Sequence, residues 1–208
     1  MKLVVATHNE GKLVEIRRIL AADLGADADR IELVSAGSLN LPDPVETGVT
    51  FQENALLKAR FVAKLTGLPA LADDSGLIVD VMGNAPGILS ARWAGRHGDD
   101  AANNALLLAQ IADIPDGKRT ARFRCAAALS VPGEDGETTD TVEIGEMPGR
   151  IIREPRGEHG FGYDPLFVPD DQPGELTSAE LEPAAKNAIS HRGKAIKAIV
   201  PAIEALLR

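Results

Sequence analysis

Asp73 and Asp74 stand side by side between two apolar runs, Pro69 to Ala72 and Leu77 to Val81. Adjacent carboxylates at the end of a buried strand are costly unless a cation compensates them. Mg2+ suits such a pair, because it takes one or two carboxylates and fills its other positions with water and phosphate oxygens. A polar turn over Asp73-Asp74-Ser75-Gly76 is the alternative, and the apolar flanks weigh against it. Cationic partners lie in two other places. Thr7-His8-Asn9-Glu10-Gly11-Lys12 falls where a strand hands over to a helix, and a helix N-terminus offers backbone N–H groups and partial positive charge to a phosphate. Spacing alone slightly favours a plainer reading, with Thr7 or Asn9 as an N-cap and Lys12 as a solvated lysine. The segment is not a Walker P-loop, since Leu13 follows Gly11-Lys12 and the upstream glycine is missing. Asn54 and Lys58, four residues apart, share one helical face. With Glu46 just upstream, an acid, an amide and a lysine can converge near a metal–phosphate site, although most helix-surface lysines do nothing of this kind and spacing alone does not lift Lys58 above them.

Two further stretches carry chemistry. The chain has seven aromatic residues (five Phe, one Tyr, one Trp), and Phe161, Tyr163 and Phe167 fall within seven positions. Gly160 and Gly162 allow close backbone approach around Phe161, whose ring can stack on a base; the plainer reading is a loop that anchors the core. The expectation is a mixture, Phe161 presented and Phe167 buried. Between Pro183 and Ile203 there is no Asp or Glu, yet Lys186, His191, Arg192, Lys194 and Lys197 are present. Either this interval contributes to an anion site at the start of the last helix, or it is a solvated basic face. His97 and His159 lack metal-ligand spacing. Ser75, His191 and Asp164 make a triad on paper only, with no nucleophile elbow to support it.

These groups need a scaffold. Lys2 to Ala6 reads as a buried strand. Leu13, Ile16, Ile19 and Leu20 follow with helical spacing, and Ile31 to Val34 reads as a second strand. A helix over Phe51 to Leu65 carries Leu57, Phe61 and Leu65 on one stripe, and another helix spans 100–111. Residues 120–131 alternate, with Ala121, Phe123, Cys125, Ala127 and Leu129 on one face. A polar turn over Pro132 to Glu137 and a strand over Thr138 to Ile144 complete a hairpin; Ile151-Ile152 reads as a further strand. Ser190 to Leu207 is helical. One α/β unit over 1–208 results, with a hairpin-rich second lobe.

The 208 residues carry a formal net charge of −9, with ordinary apolar and charged content. Disorder as the main state is excluded, and no run reaches the roughly 18 apolar residues of a membrane span. No secretory signal is expected at the N-terminus. The single Cys125 forms no internal disulfide, which fits a reducing cytoplasm. The acidic balance disfavours polynucleotides and anionic membranes.

One motif at a time is weak; their order is specific. Thr7-x-Asn9-x-x-Lys12, Glu46-Thr47-Gly48, Phe51-x-Glu53-Asn54-Ala55-x-x-Lys58-Ala59, Asp73-Asp74-Ser75-Gly76-Leu77, Pro86-Gly87, Ser90-Ala91-Arg92, Gly160-Phe161-Gly162-Tyr163-Asp164-Pro165 and Ser190-His191-Arg192-Gly193 occur in sequence. The series resembles the inosine/xanthosine triphosphate pyrophosphatase (Ham1/RdgB-like) family over nearly the whole chain. The resemblance implies an elongated mixed β-sheet flanked by helices, two lobes with a nucleotide cleft between them, a homodimer, and Mg2+. It implies hydrolysis between the α and β phosphates of non-canonical purine triphosphates (ITP, dITP, XTP), keeping them out of DNA and RNA. Thr7, His8, Asn9, Glu10, Gly11 and Lys12 would hold phosphates. Asp74 and Lys58 would be catalytic, Glu46 and Asp74 metal-side, and Ser75 on substrate. Phe161, Gly162, Tyr163, Asp164, Lys186, His191 and Arg192 would bind the base and nearby groups. Donors facing the purine 6-oxo group would reject adenine, whose amino group leaves them unpaired. Rivals are a pyrophosphatase of other nucleotides and a non-catalytic nucleotide-binding module.

Overall fold

The β-branched run at the N-terminus forms strand β1 (Lys2–Val5), which pairs in parallel with β2 (Glu32–Ser35) on one side and β3 (Ala70–Val79) on the other. Helix α1 (Glu10–Leu24) connects β1 to β2, and α2 (Phe51–Thr66) connects β2 to β3. The order β2-β1-β3 reverses the direction of winding at β1, so the carboxyl end of β1, beside the first half of β3, lies at a switch point of the kind where open α/β sheets hold ligands. The computed structural model describes residues 1–208. It divides them into two units, Met1–Asp74 with Cys125–Gly145 and Arg192–Arg208, and Ser75–Arg124 with Glu146–His191.

In the first unit the sheet is covered on both faces. Leu3, Val5 and Leu71 pack with Leu13, Ile16 and Leu20 of α1 and with Ile196, Ile199 and Ile203 of the final helix α5 (residues 191–205). Val4 and Ala70, on the alternate positions, pack with Val62 and Ala63 of α2. Each fully buried Leu or Ile contributes roughly 1.5–3 kcal/mol of transfer free energy, before ordering costs. Asn9 caps α1 by accepting the Lys12 N–H at 3.2 Å, and Thr50 caps α2 by accepting the Glu53 N–H at 3.1 Å.

In the second unit Leu77 and Val79 of β3 join Leu107 of helix α3 (Asp100–Gln110) and Phe123 of strand β4 (Thr120–Pro132). Met147 and Ile151 of β5 (Thr138–Ile151) and Phe167 of β6 (Phe167–Pro169) complete this core. Phe123 and Phe167 meet edge to face at 4.7 Å. Buried Arg119 donates to the carbonyls of Ile111, Ile151 and Ile152. The strand order of the whole sheet is β2-β1-β3-β4-β5-β6.

The structure decides one alternative, corrects two expectations and adds one element. Asp73-Asp74-Ser75-Gly76 is not the polar turn that its apolar flanks weighed against, because β3 runs unbroken from Ala70 to Val79. The buried stripe of α2 is Phe51, Ala55, Ala59, Val62 and Ala63; Leu65 is 53% exposed. Small alanines let the helix sit close on the sheet, and the larger Leu57 and Phe61 line a surface groove with Arg60 and Lys64. Ile151 closes β5 and is not a separate strand. A short helix α4 (Pro183–Ile189) precedes α5, its onset set by Pro183 at the first helical position. No helix is long and apolar enough to cross a membrane.

Candidate active site

Strand geometry sorts the two carboxylates. Successive residues of β3 point to opposite faces, so Asp73 follows Leu71 toward α1 and α5, and Asp74 follows Ala70 toward α2. Asp73 lies 3.4 Å from Lys12 Nζ and accepts from Arg192 Nε at 3.0 Å. Arg192, 3% exposed, also donates to Glu15 at 2.6 Å. Burial works to raise the Asp73 pKa, but Lys12, Arg192 and Lys58 overcome it and hold the carboxyl well below the usual range. Arg192 is opposed by burial in the same way, and Asp73 with Glu15 keeps it firmly charged.

Asp74 has different company. Its Oδ1 accepts from Lys58 Nζ at 2.8 Å, and the same ammonium lies 3.1 Å from Glu46. Burial pushes the Asp74 pKa up; Lys58 opposes this, while Glu46 and Asp73 add to it, and the net direction is upward. Burial favours loss of the Lys58 proton, but Asp74, Asp73 and Glu46 outweigh it and raise the pKa. Two carboxylates facing one lysine leave surplus negative charge. That donor set fits Mg2+, which needs one or two carboxylates and takes the rest of its shell from phosphate and water; Asp74 and Glu46 are the residues that would hold it.

The approach to α2 positions Glu46. Asn54, 1% exposed, accepts the Gly48 N–H at 2.8 Å. A Cβ on Gly48 would stand 2.5 Å from that amide oxygen, so the contact requires glycine. The Asn54 Nδ2 is buried without a hydrogen-bond partner.

In the loop after β1, Thr7 is buried, its Oγ1 accepts the Asn9 N–H at 3.1 Å, and Glu10 accepts from Ser35 at 2.8 Å. Gly11 sits beside the Asn9 side chain, where a Cβ would be 3.0 Å from Oδ1. The N-cap reading of Asn9 therefore holds, whereas Lys12 is turned onto Asp73 and is no solvated lysine. His8 bridges to the next segment, with Nε2 2.8 Å from the Leu41 carbonyl and Nδ1 2.8 Å from Asp43.

In the second unit Phe161 is 56% exposed, Phe167 fully buried and Tyr163 buried with its hydroxyl donating to the Ser90 carbonyl at 2.8 Å. The expected mixture is what the loop shows. Asp164 is buried and accepts from the Phe161 N–H at 3.0 Å and from Lys186 Nζ at 2.6 Å. Lys186 also lies over the Phe161 ring at 5.6 Å. Gly160 (φ 81°) has the Asp164 carboxylate where a Cβ would point, at 2.2 Å. His191 is buried and stacks on Phe123 at 4.9 Å. Ser75 is half-buried, next to Asp74 on β3. Lys197 is mostly exposed and 3.7 Å from Asp23, the solvated case.

Sequence reasoning missed Glu15, Asp100 and Asn104. Glu15 pairs with Arg192, 177 residues away in the sequence, and no local spacing signals that contact.

A doubly wound half-sheet with lysines and paired carboxylates at its switch point marks an α/β protein built for a phosphorylated ligand. The chain belongs to the Ham1 family, whose model matches residues 3–202. It is 70% identical to the dITP/XTP pyrophosphatase of Bifidobacterium longum (strain DJO10A), with all of both chains covered. A HAM1 protein from Coxiella burnetii superposes with a TM-score of 0.85 at 41% identity, covering 99% of each chain. The nucleoside-triphosphatase / dITP/XTP pyrophosphatase of Mycobacterium abscessus gives 0.73 at 49% identity, covering 98% of this chain and all of that one.

Proposed function

We propose that this protein is a Mg2+-dependent nucleoside-triphosphate pyrophosphatase, cleaving the α–β phosphoanhydride of dITP, ITP and XTP to monophosphate and pyrophosphate. The observation that carries this reading is the pairing of Lys58 with both Asp74 and Glu46 beside the switch point. Assignment to the diphosphatase class rests on full-length relatives that carry that name.

Cleaving a phosphoanhydride asks a protein chiefly for charge neutralisation and an aligned water. Lys12 and Lys58 supply positive charge, and the loop from Thr7 to Lys12 receives phosphate oxygens. The Asn54 Nδ2 donates to a ligand oxygen, which answers its buried, unpartnered state. Ionised Asp74 accepts a hydrogen bond from the attacking water and orients it. Asp74 and Glu46 are the residues that would hold Mg2+, which would supply charge neutralisation to the phosphate oxygens. Phe161 stacks on the purine and Lys186 lies at its edge. His191 and Arg192 are held rigidly at the start of α5, His191 by Phe123 and Arg192 by Asp73 and Glu15.

The role in the cell is removal of deaminated purine triphosphates from the cytoplasmic pool before polymerases use them. The protein acts as a homodimer, for which the groove of Leu56, Leu57 and Phe61 on α2 is the candidate apolar contact. It engages neither polynucleotide nor membrane, in keeping with a net charge of −9. Incubation with dITP and Mg2+ followed by product identification tests the reading. dIMP plus pyrophosphate is expected; dIDP plus orthophosphate, or no turnover, refutes it.

A further inference from the structure

The aromatic loop owes its shape to a helix that no motif pointed to. Asp100 Oδ2 accepts the Gly162 N–H at 2.6 Å, and Asn104 Nδ2 donates to the Gly162 carbonyl at 3.0 Å. The two side chains lie four residues apart on α3, on one face. One helix thus fixes the peptide groups on both sides of Gly162, which holds a left-handed φ of 62°. These same peptide groups join Gly162 to Phe161 and to Tyr163. Tyr163 is anchored in turn by its hydroxyl on Ser90, and the Phe161 N–H by Asp164. The backbone of Phe161 is therefore tied down while its ring stays 56% exposed. A ring presented from fixed backbone loses less freedom on stacking than one on a mobile loop.

We propose that Asp100 and Asn104 are positioning residues for purine recognition: through Gly162 they set the Phe161 ring as a preformed stacking surface. This deepens the proposed function and rests on it. Two near-isosteric variants separate the clamp from general stability. Asn104→Asp exchanges the donor for a carboxylate facing a carbonyl oxygen, whereas Asp100→Asn keeps an oxygen able to accept from Gly162.

The experiment combines steady-state kinetics on dITP, inhibition by base-free inorganic tripolyphosphate, and backbone amide exchange over residues 160–163, all on the full chain. For Asn104→Asp the KM rises about tenfold and kcat stays within about twofold, the scale of one lost hydrogen bond. Amide exchange in the loop accelerates, and tripolyphosphate inhibition is unchanged. Asp100→Asn, which keeps an acceptor but not its charge, raises KM and loop exchange less than Asn104→Asp does. The proposal is overturned if exchange is unaltered, if exchange accelerates with no change in KM, or if tripolyphosphate inhibition weakens in parallel with KM. Failure of the parent protein to turn over dITP defeats the proposed function and this role with it. That outcome is seen before any variant is made and leaves the exchange result to report on the clamp itself.

Discussion

Asp73 and Asp74 are joined by one peptide bond and serve opposite faces of β3: Asp73 is locked between Lys12 and Arg192, Asp74 faces Lys58 and Glu46. Their carboxyl groups are displaced in opposite directions for that reason. Asp73 gains more from its cations than burial removes, so its pKa falls. Asp74 shares a single lysine with another acid, and its pKa rises. One carboxylate is built to stay ionised and fixed, the other to welcome additional positive charge.

The two asparagine variants should therefore move stability in opposite directions. A carboxyl whose folded pKa is lowered stabilises the fold above its unfolded pKa, and that contribution is lost as pH falls through the folded value. Asp73→Asn removes it and leaves Arg192 short of a partner, costing roughly 3–5 kcal/mol at neutral pH. A carboxyl with a raised folded pKa has the reverse sign, its ionised form being disfavoured in the folded chain at neutral pH. Asp74→Asn should raise stability by on the order of 1 kcal/mol while abolishing turnover. Denaturant unfolding at pH 7 reads both, and a stabilised Asp73→Asn would refute the sorting.

Competition between metal and proton for Asp74 should be visible in the pH profile. The acid limb of kcat/KM should lie higher than a free aspartate would place it at low Mg2+ and move to lower pH as Mg2+ is raised. Chelation should abolish turnover reversibly. An acid limb indifferent to Mg2+ would remove Asp74 from the metal site.

Lys58→Met should lower kcat by about 10²–10³, the usual size of a lost preorganised electrostatic contact. Because the substitution leaves Asp74 and Glu46 facing each other without their shared cation, the Mg2+ requirement should become steeper. Single-turnover kinetics over a Mg2+ series checks both.

Phe161→Ala should raise the KM for dITP by about 5–150-fold, from the loss of roughly 1–3 kcal/mol of stacking. Its ring is exposed, so unfolding should shift by less than about 0.5 kcal/mol. A large loss of stability would mean that the ring serves the fold.

The strand–helix alternation and the core stripes of α1 and α5 were legible because their periodicities are strong: Leu13, Ile16 and Leu20 are buried as their spacing requires. The α2 stripe was misread because burial there belongs to alanines, which carry little hydrophobic signal, while Leu65 points outward. The motif positions were legible as a series, and Lys12, Lys58, Asp73 and Asp74 do gather at one sheet. What the linear sequence hid was partnership. Glu15 and Arg192 lie 177 residues apart, and Asp100 reaches Gly162 across 62; nothing local announces such contacts. The division between Asp73 and Asp74 was likewise invisible while Asp73-Asp74-Ser75-Gly76 could still be drawn as a turn, since only an unbroken strand imposes alternation.

That unbroken strand makes the chemistry a matter of odd and even. Inserting or deleting a single residue between Leu71 and Asp73 would exchange the two carboxylates between faces, placing each among the other's partners. Composition in this stretch could drift while its length could not. The segment is a ruler whose unit is one residue, and its tolerance for a change of count is zero.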